Sequence, residues 1–292
     1  MNAPTETSGN DFSMIVDAHV HLLPERLAAK IRKFFEDRGA PRLLYPYAPA
    51  AARQALVTSG IGRCWSLPYA HRAGVARPLN RWMAETFASD PFVVPGATVH
   101  PDDDVQAVVS EAAGPFALPV FKLHCSVGAF VPDDRRLDPL WREVSAGGQP
   151  VVVHTGSAPE GTATHGEVEA IGRVAARWPD ARIIVAHFGS PSETTTLELL
   201  GRTRSVYADL APVVADPVAL ARSAIAGLER RILFASDAPT VAVSIEDSLA
   251  RVRAWHLPDS DEAAVLGETA DRLLPLSRRA ASPPPSSPEA RA

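Results

Sequence analysis

Short apolar runs that end in polar residues alternate along this chain with longer amphipathic stretches. Eight runs have strand length: 14–22, 63–67, 92–100, 119–124, 150–155, 182–187, 205–210 and 231–236. Helix-like stretches follow them at 24–38, 78–88, 105–112, 139–146, 166–177, 194–200, 217–228 and 245–255. Two of these carry a start signal, an acidic residue before a proline: Asp138 before Pro139 and Asp216 before Pro217. Strict alternation of strands and helices implies parallel strands joined by helical crossovers. Val151-Val152-Val153 and Ile183-Ile184-Val185 stay apolar up to their last residues, as strands buried on both faces do. A doubly wound open sheet also alternates. However, eight units with no glycine-rich phosphate loop after the first strand favour a (β/α)8 TIM barrel in the α/β class.

Length and composition fit that reading. The chain has 292 residues, and a barrel of this type takes about 250. No composition break divides positions 14–279, so they read as one domain. The arm at 1–13 and the Pro/Ser-rich tail at 280–292 lack apolar periodicity and read as disordered. A net charge of -5 argues against a nucleic-acid partner. No apolar run approaches the roughly 20 residues that span a bilayer, and the N-terminus shows no secretory signal. Two cysteines, Cys64 and Cys125, exclude a disulfide scaffold and point to the cytoplasm. Cys125 reads as a small buried residue rather than a nucleophile.

The chemistry of a TIM barrel sits at the C-terminal ends of its strands. There the sequence places His19 and His21, then His100, Lys122 and His124, His154, His187, Asp209 and Asp237. Residues i and i+2 of a strand share a face, so His19 and His21 should project together into the mouth. His154 and His187 each close a buried run, where a hydrogen-bonded core histidine is the alternative to a functional one. Asp237 directly follows a buried strand, a costly place for a carboxylate unless it caps a turn, is paired or meets a cation. Imidazole and carboxylate together suit a divalent ion, zinc first.

These segments, VDAHVHL, Asn80-Arg81-Trp82 leading to TVHPDD, FKLHC, PVVVHTG, IIVAHFG and LFASDAP, resemble the amidohydrolase superfamily. The branch they are most similar to is the amidohydrolase-related one, which includes aminocarboxymuconate-semialdehyde decarboxylase. The resemblance implies a distorted barrel holding one zinc ion, or two. It implies His19, His21, His154 and Asp237 as metal ligands, with Asp237 and His187 as the catalytic pair. Lys122 matches the lysine that bridges two metals in binuclear members, and His124 beside it is a competing ligand or substrate contact. Asp17 is expected to face away from the histidine pair and to orient a ligand from behind. His100 and Asp209 are secondary candidates. The loops at 68–77, 126–138 and after strand 5 (Ser157, Glu160, His165) should set specificity, with Arg72 or Arg136 clamping an anionic substrate. The leading expectation is hydrolysis of an amide, lactone or ester bond of a small molecule. Non-oxidative decarboxylation is the alternative, and an inactive metal-bound binding protein the third. Under every reading the partner is a small molecule, and the sequence leaves both a monomer and a homo-oligomer open.

Overall fold

In a computed structural model, residues 14–38, 43–156, 166–211 and 220–275 are described. The expected arm and tail, Asp216, Pro217, Ser157, Glu160 and His165 lie outside them. Eight strands run in sequence order through one sheet: β1 Val16–Val20, β2 Arg63–Ser66, β3 Val93–Thr98, β4 Val120–Leu123, β5 Val151–Val153, β6 Ile183–Val185, β7 Val206–Asp209 and β8 Ile232–Leu233. Every neighbouring pair is parallel. The barrel closes between β8 and β1 through Ala18 N–H to Phe234 O, Asp237 N–H to His19 O and His21 N–H to Ala238 O. This is the expected TIM barrel.

The helices are α1 Glu25–Asp37, α2 Pro49–Thr58, α3 Ala76–Phe87, α4 Val105–Ala113, α5 Cys125–Gly128, α6 Asp138–Gly147, α7 Glu167–Arg177, α8 Glu193–Arg202, α9 Arg222–Ile225, α10 Ile245–Arg253, α11 Asp259–Ala263 and α12 Thr269–Leu273. Their buried stripes follow helical spacing. Leu79, Met83 and Phe87 of α3 are four apart, as are Ile245 and Leu249 of α10. The start of α6 differs from expectation. A short 3-10 turn, Arg135–Leu137, runs straight into it, so Asp138 ends that turn and is the first residue of α6 rather than its N-cap. Its carboxylate instead binds Arg177 at 2.7 Å.

Two apolar clusters fill the barrel and its jacket. The outer one joins Cys64, Val93, Phe121, Val151, Ile183 and Phe234 to helix residues such as Met83, Trp141 and Ile171. The inner one holds Val16, Trp65, Leu67, Val94, Val120, Val152, Ile184 and Leu233, closed at the far end from the mouth by Ala270, Leu273 and Leu274. Two inner rows continue upward into chemistry. Lys122 lies two residues past Val120, and His154 two past Val152.

β1 breaks its own alternation. Strict period two would put Asp17, His19 and His21 on one face. The register against β2 shifts between Asp17 and Val20: Asp17 pairs with Cys64, yet Val20 pairs with Ser66. This is a β-bulge, one extra residue on one strand. Val16 therefore joins the inner cluster and Val20 the outer one. Asp17 does face away from the histidines as expected, but the bulge causes it, since alternation alone gives the opposite result.

Candidate metal centre

Three side chains, His19 on β1, His21 just past its end and Asp237 in the chain after β8, converge at the mouth. The ligand atoms of His19, His21 and Asp237 all lie within 4.8 Å of one another. His21 Nε2 is 2.9 Å from Asp237 Oδ1, and His19 Nε2 is 3.6 Å from the same oxygen. Asp237 adopts a left-handed φ of 60° just after β8, and its N–H on His19 O anchors that turn.

The far nitrogens of both rings are tied down. His21 Nδ1 lies 2.6 Å from Leu67 O, which only accepts, so Nδ1 carries the proton. His19 Nδ1 donates to Asp209 Oδ2 at 2.9 Å. Both Nε2 atoms are thereby left with a lone pair toward Asp237. Acceptors 2.9 Å apart need a proton or a cation between them. Partners of this kind, a carbonyl on one histidine and a carboxylate on the other, fix ligand histidines in metal sites. The donor set thus fits a divalent ion.

Asp17 sits behind. It accepts from Ser236 Oγ at 2.5 Å, Ser236 N–H at 3.0 Å and His19 N–H at 3.2 Å, locking β1 to the chain after β8. Burial pushes its carboxyl up to about 7, against those three bonds. Burial acts in the same sense on Asp237. There the His21 ring, which would donate to the carboxylate if it took up a second proton, and after it His19 and His187 in their protonated forms, outweigh burial and hold the carboxyl at about 2. Lys122 is fully buried, its Nζ 3.0 Å from His19 Nε2, and burial lowers its amine to about 8.

His154 and His187 form a second group beside the first. His187 Nδ1 donates to Ala211 O at 3.0 Å, so its Nε2 accepts from His154 Nδ1 at 3.1 Å. That leaves the buried His154 Nε2 with a lone pair and no hydrogen-bond partner among the described residues. An orphaned acceptor beside the three-ligand group is what a cation would satisfy. His154 nevertheless stands outside the tight group of three. His187 lies on a 3-10 turn, Ala186–Gly189, with φ of 53°, and its ring is 5.3 Å from that of His19. His124 stacks on His154 at 3.8 Å, and Tyr69 lies 4.8 Å from His124 and 5.4 Å from His21. Tyr69 is a site neighbour that the sequence offered only as one position of a loop. Burial holds His19, His124 and His154 well below the usual imidazole range, hence neutral.

The other candidates are engaged elsewhere. His100 Nδ1 accepts from Asp102 N–H at 3.2 Å, which places the proton on Nε2 for Gly128 O at 3.1 Å. Both ring nitrogens are spent on holding a loop. Arg136 is exposed and bound to Asp134 and Asp102. Arg72 is exposed, with its guanidinium 3.5 Å from Ala73 O. Asn80 holds the backbone of Thr98 by two bonds, at 2.9 and 2.8 Å, which secures the end of β3. Cys64 and Cys125 are buried free thiols, and burial pushes both up.

No curated protein matches this chain. Among solved structures it resembles an uncharacterised TIM-barrel protein of Bordetella bronchiseptica, with a TM-score of 0.72 and 17% identity over 91% of this chain and 99% of that one. It also resembles 5-carboxyvanillate decarboxylase of Novosphingobium aromaticivorans, solved with manganese (TM-score 0.66, 14% identity, 94% of this chain and 99% of that one). A probable 2-pyrone-4,6-dicarboxylic acid hydrolase of Acinetobacter baumannii gives a TM-score of 0.59 at 12% identity, over 89% of this chain and 98% of that one. At such identities the likeness is one of fold. The family itself comes from the sequence: residues 16–276 match the model described as amidohydrolase, and the chain belongs to that family.

Proposed function

We propose that this chain is a metal-dependent hydrolase that directs water at an amide, lactone or ester bond of a small molecule. One observation carries the reading: two lone-pair atoms, His21 Nε2 and Asp237 Oδ1, face each other at 2.9 Å with a third, His19 Nε2, alongside. His19, His21 and Asp237 would hold a single zinc ion, and His154 Nε2 is the nearby acceptor fit to join them. Such an ion supplies Lewis acidity, which polarises a carbonyl and acidifies water at neutral pH.

The residues divide the rest of the work. Asp237, held as a carboxylate, accepts the proton of the attacking water and passes it to the leaving group. His187, with its proton fixed on Nδ1 by Ala211 O, keeps its ring at the mouth through the His154 contact and orients the substrate carbonyl or the water. Lys122 remains an uncarboxylated amine beside His19. Tyr69, His124 and His154 supply flat faces against which a small planar substrate rests. The ion pairs of Arg136 and the placement of Arg72 give little support to the expected anion clamp. Net charge -5 and the two buried thiols go with a cytoplasmic small-molecule enzyme rather than a nucleic-acid partner.

Decarboxylation is the second reading. The shared fold of 5-carboxyvanillate decarboxylase favours it, since that protein was solved with manganese in the same architecture. A panel of esters, lactones, amides and aromatic acids, run with zinc or manganese in 18O-labelled water, separates the two. Label entering the product supports hydrolysis. Carbon dioxide release without label in the acid product overturns it.

A further inference from the structure

Asp209 ends β7 and is fully buried. Its two oxygens do different things. Oδ2 accepts from His19 Nδ1 at 2.9 Å. Oδ1 accepts from the N–H groups of His187 at 2.9 Å and Ala211 at 3.1 Å. Ala211 is also the residue whose carbonyl fixes the His187 ring. A single carboxylate therefore reaches a metal-ligand candidate on β1 and the backbone of the His187 turn after β6.

We infer that Asp209 is the positioning residue of the centre: it sets the tautomer of His19 that can bind a cation and, through its other oxygen, braces the turn that carries His187. This inference rests on the metal reading proposed above. The physical reason is the proton count. Neutral imidazole has one donor and one acceptor nitrogen. A carboxylate is acceptor-only, so it compels His19 to carry its proton on Nδ1 and to present the lone pair of Nε2. Among the described residues no other contact of the ring imposes that choice: Asp237 Oδ1 lies beyond hydrogen-bond reach of Nε2 at 3.6 Å, and the Lys122 amine beside Nε2 donates or accepts according to its own proton.

Asp209→Asn isolates the effect. The amide oxygen of asparagine still accepts from His187 and Ala211 N–H, so the turn keeps its brace. Its NH2 group then faces His19 Nδ1, which must become the acceptor, and the proton moves to Nε2. The lone pair available to a cation is lost while the fold is kept. Asp209→Ala removes both halves together.

Zinc and manganese affinity are measured by competition with a chromophoric chelator for the wild type, Asp209→Asn, Asp209→Ala and Ser236→Ala. The last is a control at another buried hydrogen-bonding position, one that holds Asp17 rather than a ring nitrogen. Histidine tautomers are read from 15N chemical shifts of the metal-free proteins. The expected result is a melting temperature near that of the wild type for Asp209→Asn, a loss of metal affinity of about 10–100-fold, and His19 protonated on Nε2. Asp209→Ala should lose affinity at least as far and melt lower. Affinity of Asp209→Asn equal to the wild type overturns the inference, as does an affinity loss in Ser236→Ala of the same size. Should Asp209→Asn fail to fold, the wild-type spectrum decides: His19 with its proton on Nε2 overturns the inference, and a proton on Nδ1 supports it. A wild type that binds neither metal while showing the Nδ1 tautomer fails the metal reading instead, and so is told apart.

Discussion

Gly189→Ala should destabilise the protein by about 2–5 kcal/mol, for two reasons that can be separated. Gly189 closes the turn that carries His187 and has φ of +79°. An L-residue there meets its own carbonyl, at roughly 1–2 kcal/mol. A Cβ built on Gly189 would also lie 1.9 Å from Thr196 Oγ1 and 3.1 Å from Val168 Cγ2. Forcing atoms into a packed interior adds about 1–3 kcal/mol. Thr196 is fully buried on α8 and cannot swing out to solvent. The assay is urea unfolding followed by circular dichroism, with a chelator present so that metal binding does not shift the midpoint. Heating should show the same loss as a drop of roughly 4–20 °C, from about 2–4 °C per kcal/mol in a domain of this size. Adding Thr196→Ala removes the hydroxyl and should recover about 1–2 kcal/mol of the Gly189→Ala cost, leaving the backbone part. A Gly189→Ala cost under about 0.5 kcal/mol, or strict additivity with Thr196→Ala, would refute the reasoning, since residues in contact are expected to couple.

Further outcomes follow from the same contacts. His187→Asn should retain metal in elemental analysis and slow turnover by roughly 10²–10⁴-fold, the worth of a positioned acid–base group; metal loss as full as in His21→Ala would instead make His187 a ligand. The intact native protein should carry one metal per chain and no added carbon dioxide on Lys122, which native mass spectrometry reads directly. Both thiols are pushed up by burial, so at pH 8 less of each is thiolate than in a free cysteine; a disulfide reagent should label neither in the folded chain and both in denaturant. Arg136→Ala should change stability by less than about 0.5 kcal/mol and leave KM for any substrate unaltered, because its guanidinium is exposed and already paired; a large KM rise would restore it as a substrate clamp.

The eight strands were legible because each is an apolar run stopped by a polar residue, and burial on both faces demands that pattern. Their lengths were not. The run at 231–236 contributes only Ile232–Leu233 to the ladder, because the chain beyond Leu233 turns its hydrogen bonds to β1 and to side chains. Helix α2 leaves no clear stripe in the sequence, because Ala-rich PAAARQALVT buries only Ala52 and Leu56. The segment α11 to α12 is not legible for another reason: it follows the eighth strand–helix unit, and nothing local announces a plug for the barrel floor. At the site, residue types and strand ends were readable, since His-x-His and a post-strand Asp are local signals. Which groups meet was not readable. The Asp209–His19 bond spans 190 residues, and Arg136 finds Asp102 across 34. His100 was a fair candidate by position, yet a loop only visible in three dimensions occupies both its nitrogens.

The bulge in β1 makes residues 16–21 an indivisible cassette for protein engineering. Grafting only His-x-His onto the first strand of another barrel copies the ligands without the phase change that lets Asp17 reach back to Ser236. On a regular strand the same six letters would drive an acceptor-only carboxylate into the apolar barrel interior. A transplant that works must therefore carry the extra residue and its Ser236 partner along with the histidines.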